Sequence, residues 1–491
     1  MNGTKSPLFL GADIGTQGVR VVAVDQSGNL AGATEETFKL DEQARQEQSP
    51  EKWWEILLKT MGELANQLRT AGKLDTIVAM SVTSTSGTMI PLDSNNQPLH
   101  NAIMYSDKRS GAEAEICRNA VSRDDGEGYK DFNTSSGLPK ILWFMNRYPE
   151  KEEKIRRWAH AADFILAKLS GNWGVTDYTN ALKTGYDLVN LSWPDYLFEK
   201  LQLPKSWFPD VLPSGTPIGR ILPEVAEQTG LPKTITIVSG ITDGCASQIA
   251  SGAINLGDWN TTIGTTLVLK GVTKNKVVDP LRRIYNHRHP EGLWMPGGAS
   301  NTGADWVTKE FGNENLRELN QQAEGIIPTS FISYPLNQEG ERFPFIAQQA
   351  RGFEPKGLSK AEVFAAKMEG VAYLERYAYE VIEELSGEFV NIVFTAGGAS
   401  NSDVWSTIRS SVLNKPIYKM KHTMGAVGAA ILAASQTNFT SIIEAGKALT
   451  ISEKQYEPSK HLISQYDEGY HRFIEKLQEK GYLTKRGHVV D

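Results

Sequence analysis

Two short stretches of the chain carry residue types suited to holding an anion. Ile14-Gly15-Thr16-Gln17 and Ile263-Gly264-Thr265-Thr266 each lie between apolar, β-branched runs, about 250 residues apart. A strand–turn–strand rich in Gly and Thr lets backbone N–H groups converge on one anion, and the Thr hydroxyls add donors. Read singly, Gly15-Thr16 is an ordinary hairpin turn. Two such turns facing each other would grip a polyphosphate. Asp13 sits just before the first turn, at the end of an apolar strand. A carboxylate there can share Mg²⁺ with phosphate oxygens, the ligands this ion prefers.

Asp243 repeats that setting. It follows the strand-like run Thr234 to Ile241 and precedes a small-residue helix, Cys245 to Ser251. A helix cap is one reading of an aspartate in that place. A general base toward a hydroxyl is the other. A third turn, Gly397-Gly398-Ala399-Ser400-Asn401, joins a strand to a helix, and its bare backbone admits a phosphate or a planar group. Rival signatures are missing: there is no GxxxxGK[ST] loop, no GxGxxG after a strand, no HExxH and no GxSxG. His287 and His289 flank Arg288 without ligand spacing and read as packing or surface residues.

The elements that must position these residues follow from periodicity and punctuation. Leu8 to Ala12 and Val19 to Val24 read as strands. Ser49-Pro50 opens a helix, with Trp53, Leu57, Met61, Leu64 and Leu68 on one face. Thr76 to Val82 is a buried strand running into Thr83-Ser84-Thr85-Ser86-Gly87. The stretch from Asp124 to Gly230 is irregular, with helices expected near 140–146 and 157–169. The second half repeats the logic of the first. Strands are expected over 260–263, 267–272 and 391–395, and helices over 360–385, 402–413 and from Gly425 onward. A peripheral helix is expected in the charged tail. An internal duplication with a break near Ser251 explains the repeat.

Composition narrows the classes. The 491 residues carry 51 Lys+Arg against 58 Asp+Glu, a net charge of −7, which disfavours a nucleic-acid partner. The densest basic cluster, Lys415, Lys419, Lys421 and His422, is too small to serve as one. Two isolated cysteines, Cys117 and Cys245, form no disulfide framework and suit a reducing, cytoplasmic setting. The polar Met1 to Pro7 is no signal peptide, and the longest apolar run, Gly425 to Ala434, is too short to span a membrane.

Five stretches then carry a resemblance: LGADIGTQGVRV from Leu10, AIMYSDKR from Ala102, SGITDGCAS from Ser239, TTIGTTLVL from Thr261 and TAGGASN from Thr395. In this order they resemble the FGGY family of carbohydrate kinases. The resemblance implies an α/β fold of two actin-like (ribonuclease H-like) domains with an active-site cleft between them. A sugar-binding domain over 1–252 and a nucleotide-binding domain over 253–491 are expected. It further implies ATP and Mg²⁺ and phosphoryl transfer to a sugar hydroxyl. Gly15, Thr16 and Gln17 match the first phosphate turn, and Gly264, Thr265 and Thr266 the second. Gly397, Gly398, Ala399, Ser400 and Asn401 match the nucleotide turn. Asp243 matches the catalytic base, with Asp13 and Asp243 toward the metal.

On the sugar side, Ser86, Tyr105, Asp107 and Asp243 are the expected contacts. Ser86-Gly87 stands where glycerol kinases resemble one another in an Arg-Glu pair and typical xylulokinases in Met-His. Together with DYTNALKTGYD from Asp177, this looks more like the D-ribulokinase branch, so D-ribulose is the expected acceptor. Xylulokinase or another pentose or polyol kinase is the alternative. An actin-like ATPase or an inactive sugar sensor is the alternative outside the kinases. Sugar and ATP are the expected partners, with no nucleic acid and no membrane; a homodimer is left open.

Overall fold

The computed structural model describes residues 6–121 and 129–483. The first residues of the chain, 1–5, and the opening of the irregular stretch, 124–128, lie outside them. The chain forms two compact α/β units. The first takes the chain up to Ala250, together with His287–Gly292 and His422–Ile451. The second takes Ser251–Asn286, Leu293–Lys421 and the chain from Ser452. The segments 287–292 and 422–451 therefore group with the first unit although they follow Ser251 in the chain.

In the first unit, Leu8–Gly15, Gly18–Asp25 and Leu30–Thr37 form an antiparallel meander. Ile77–Ser84 runs parallel to Leu8–Gly15, with Asp13 opposite Thr83. Thr236–Val238 and Ile241–Thr242 both pair parallel with Ile77–Ser84. The two central strands are nearly continuous apolar runs because helices cover both faces. The Pro50–Thr70 helix starts where Ser49 Oγ accepts the Lys52 N–H at 3.3 Å, and it buries the expected face.

The second unit repeats the order. Asp258–Ile263, Leu267–Gly271 and Trp294–Ser300 are antiparallel, and Ile392–Ala396 runs parallel to Asp258–Ile263. Ile417–Met420 adds a further parallel strand and Ser452–Tyr456 closes the edge antiparallel. A capping box at Ser359 and Glu362 opens the 27-residue helix Lys360–Ser386, much of which is buried in the core of this unit.

Gly425–Ser435 is buried along its whole length in the first unit. A Cβ on Gly11 would lie 1.8 Å from Ala426 O, and one on Gly428 would lie 1.9 Å from Ala246 O. The helix therefore meets the Asp13 strand and the helix Asp243–Ala250 backbone to backbone, which only glycine permits. Among the described residues, no helix is long and apolar enough to cross a membrane.

Several elements differ from expectation. Arg157–His160 is a strand paired with Met89–Leu92, and the helix begins only at Ala161. The run 234–241 is split at Ser239-Gly240 into two short strands. The tail helix, Lys460–Glu479, is not merely peripheral, because Tyr466, Tyr470, Phe473 and Leu477 enter the core. Lys415 and Lys419, two of the four members of the basic cluster, are paired with Glu383 and Glu453.

Candidate active site

Asp13 occupies the last turn-ward positions of its strand, opposite Arg20 across the hairpin. The hairpin closes over Thr16 and Gln17, between the paired Gly15 and Gly18. Gln48 Nε2 donates to Thr16 O at 3.0 Å and Phe38 N to Gln17 O at 2.9 Å, which fixes the turn. Asp13, Gly15, Thr16 and Gln17 line one cavity of about 360 Å³, with Arg20 and Glu35 at its side.

Asp243 is the first residue of its helix and is exposed, its Oδ1 accepting the Gly244 N–H at 2.6 Å. Burial and the nearby Asp243 carboxylate push the Asp13 carboxyl up to about 6, against an opposing pull from Arg20. A carboxyl raised first by burial and then by a neighbouring carboxylate favours a proton or a nearby cation. The same helix buries Cys245, and Cys117 is buried in the first unit, where burial pushes its thiol up to about 12. Neither cysteine has the character of a nucleophile.

Beside Asp13, the end of Ile77–Ser84 carries a run of small polar side chains. The hydroxyls of Thr83, Ser84 and Ser86 are buried and make no hydrogen bond within the protein. Buried hydroxyls normally find a partner, so this cluster is suited to a hydroxyl-bearing ligand. Gly87 follows with φ +84°, and a Cβ there would lie 2.2 Å from Ser135 O. Tyr105 is 37% exposed, its N–H held by Thr88 Oγ1 at 3.1 Å. Asp107 is buried and already engaged. Arg109 Nε lies 3.0 Å from both of its oxygens, while Arg109 Nη2 bridges to Glu47 at 2.6 Å and the guanidinium covers Trp143. Asp107 thus fixes the wall of this region through Arg109.

In the second unit, Gly264, Thr265, Gly398, Ala399 and Asn401 line one cavity of about 790 Å³, a volume suited to a nucleotide-sized ligand. Thr266 and Ser400 shape the turns from behind. Gly264 N donates to Thr266 O at 3.0 Å, and Ser400 Oγ to Gly397 O at 2.7 Å. Gly397 has φ +86°, and a Cβ there would lie 2.5 Å from Ile263 O, so glycine is required for the two turns to meet. Behind them Arg409 pairs with Glu375 at 2.7 and 2.8 Å and donates to Thr395 Oγ1 at 2.7 Å.

Comparison with known proteins decides the family. The model of the FGGY family of carbohydrate kinases, N-terminal domain, matches residues 8–250, and that of the C-terminal domain matches residues 252–437. The chain belongs to the FGGY family of carbohydrate kinases. It is a sugar kinase, with ATP as the phosphoryl donor. A xylulose kinase of Staphylococcus epidermidis is 26% identical, over 97% of this chain and 98% of its own. A gluconokinase of Bacillus subtilis is 25% identical, over 93% of each chain. The crystal structure of a xyloylose kinase from Brucella ovis superposes with a TM-score of 0.83 at 22% identity, covering 96% of this chain and 99% of that one. The fold is the two-domain, ribonuclease H-like one expected.

This FGGY kinase also carries site features that sequence reasoning missed. Thr83 and Ser84 were legible only as the end of a strand. Asn320 and Arg317, on the Leu316–Glu324 helix, line the larger cavity; Asn315 at its N-cap is the one signal that announces that helix. Lys140 is fully buried, its amine donating to Ser136 O at 3.4 Å and to Thr134 O. Burial pushes it down to about 7, with the Asp107 carboxylate opposing.

Proposed function

We propose that this kinase transfers the γ-phosphoryl group of ATP to the terminal hydroxyl of a pentulose, D-ribulose first. The observation that carries this reading is Gly87. With φ +84° and 2.2 Å from a Cβ to Ser135 O, the backbone has no room for the imidazole that typical xylulokinases resemble one another in placing there. The neighbouring Ser84 and Ser86 hydroxyls are buried, lack partners within the protein and can hydrogen-bond a sugar. D-xylulose is the second reading, favoured by relatives that bear the name xylulose kinase.

In this reading Asp243 accepts the proton of the terminal hydroxyl as that oxygen attacks the γ-phosphorus in line. The bond from phosphorus to the bridging oxygen breaks, and ADP leaves. Mg²⁺ fits Asp13, since a bound cation would offset both the burial that chiefly raises its carboxyl and the smaller push from the Asp243 carboxylate. Bound there with ATP, the ion supplies charge neutralisation on the phosphoryl oxygens. Asp13 would hold it, and the Gly15-Thr16 turn beside it would supply donors to phosphate.

Two outcomes test this. Asp13 must be ionised to hold the metal, and its raised carboxyl is protonated below about 6. At limiting Mg²⁺, kcat/KM for ATP should therefore fall about tenfold per pH unit below that point. Asp13→Ala should abolish that limb and weaken use of ATP far more than use of sugar. Equal losses for both substrates would indicate a damaged fold instead.

The acceptor is read from kcat/KM for D-ribulose, D-xylulose, L-ribulose, ribitol, gluconate and glycerol under one set of ATP and Mg²⁺ conditions. D-ribulose should lead D-xylulose modestly, since one epimeric hydroxyl can be rescued by a rotamer or a water. Glycerol should trail both by orders of magnitude, up to about 10⁴-fold, because it leaves buried hydroxyls unpaired. A clear lead for D-xylulose or gluconate would overturn the acceptor while leaving the kinase in place.

A further inference from the structure

The stretch Asp177 to Asp187 has a geometry that reaches the catalytic helix. Asp177 is fully buried and accepts from Thr179 N at 2.8 Å, Thr179 Oγ1 at 2.6 Å and Ser214 Oγ at 3.1 Å, with Asn180 Nδ2 on its other oxygen. Thr179 Oγ1 in turn accepts the backbone N–H of Thr242 at 2.8 Å. Thr242 is the residue before Asp243, at the end of a two-residue strand whose opposite side pairs with Thr83-Ser84.

A hydroxyl has one hydrogen, and here Asp177 takes it. The Thr179 oxygen is left with its lone pairs, one of which receives the Thr242 N–H. The short strand ahead of Asp243 is thus held from two sides: by pairing with Ile77–Ser84, and by a side chain whose polarity Asp177 fixes. Beneath it lies a second buried pair, His160 Nδ1 with Asp163 Oδ2 at 2.6 Å, and His160 Nε2 meets Thr184 Oγ1 at 2.9 Å. Buried polar groups held by several hydrogen bonds each, as Asp177 and His160 are, favour one arrangement.

We infer that Thr179, oriented by Asp177, is a positioning residue for Asp243: it fixes the backbone from which the base projects. The inference rests on Asp243 being the base. A purely structural alternative is that Asp177 and Thr179 do no more than cap the five-residue helix Tyr178–Leu182.

Thr179→Val keeps the shape and removes both hydrogen bonds of the hydroxyl. It should lower kcat by about 10- to 100-fold, the scale of a misplaced catalytic group, with KM for sugar and ATP within about twofold. Thr179→Ser restores the hydroxyl and should return kcat to within about threefold of wild type. If Thr179→Val does not fold, Thr179→Ala is read by the same split between kcat and KM. Wild-type kcat in the hydroxyl-free variant, or no rescue by serine, would overturn the inference. Asp243→Asn is assayed alongside. If it keeps turnover, the base assignment fails, and if it loses turnover while Thr179→Val keeps it, only the positioning role fails.

Discussion

Replacing Asp243 with asparagine should leave ATP and sugar affinity near wild type and remove nearly all turnover, by about 10²–10⁴-fold. The amide keeps the size of the carboxylate, and its oxygen can still accept the Gly244 N–H that the aspartate accepts at 2.6 Å. The start of the Asp243–Ala250 helix is therefore preserved, which separates the base from the cap. What the amide cannot do is take a proton from an attacking hydroxyl. A fall in kcat with unchanged KM places the loss in the transition state. Near-normal turnover in this variant would leave Asp243 as a helix cap and nothing more.

The second large effect is on stability. Arg409 and Glu375 are both fully buried and form a bidentate pair, with Thr395 taking a third guanidinium hydrogen. Thr395 stands two residues before Gly397, so the pair ties the strand that runs into the Gly397-Gly398 turn to two helices. Glu375→Gln leaves a buried guanidinium without its counter-charge, and breaking such a pair costs about 3–5 kcal/mol. For a unit of this size the thermal midpoint should drop by on the order of 10 °C. Replacing both partners with apolar residues of similar volume should recover much of that loss, because the desolvation penalty leaves with the charges. A shift of only a degree or two in Glu375→Gln would mean that the pair is hydrated and not a structural tie.

The parts of the fold that could be read from the chain are those whose causes are local. Gly15-Thr16 and Gly264-Thr265 announce their turns because few residues suit them, and the Ser49-Pro50 and Ser359/Glu362 caps announce their helices. The duplication follows from those turns, and the two sheets share one strand order. What escaped was decided by distant partners. Arg157–His160 has apolar residues that continue a helical period, yet it is a strand because Met89–Leu92 offers an edge. Leu30–Thr37 went unnoticed because LAGATEET has little strand propensity; it forms by extending the hairpin from Gly18–Asp25.

The same holds for the site. Asp13 and Asp243 are visible as aspartates at strand ends, but the coupling between them is not. It depends on Gly425–Ser435, whose glycines and alanines read as a small apolar helix and not as the joint between the Asp13 strand and the Asp243–Ala250 helix. Asp107 reads as a sugar contact by its place in AIMYSDKR, but the sequence gives no sign that its oxygens also pair with Arg109. Thr179 gave no local sign at all, since its role depends on a backbone N–H 63 residues away.

The central claim is tested most directly by following ADP formation at saturating ATP and Mg²⁺, with and without D-ribulose or D-xylulose, while ³¹P NMR identifies the product. ADP should form only slowly without sugar. With a pentulose it should rise steeply and match, mole for mole, a phosphate ester on the terminal carbon. ADP release at the same rate with and without sugar, or sugar-stimulated release of inorganic phosphate with no ester, would contradict the assignment of this site to pentulose phosphorylation.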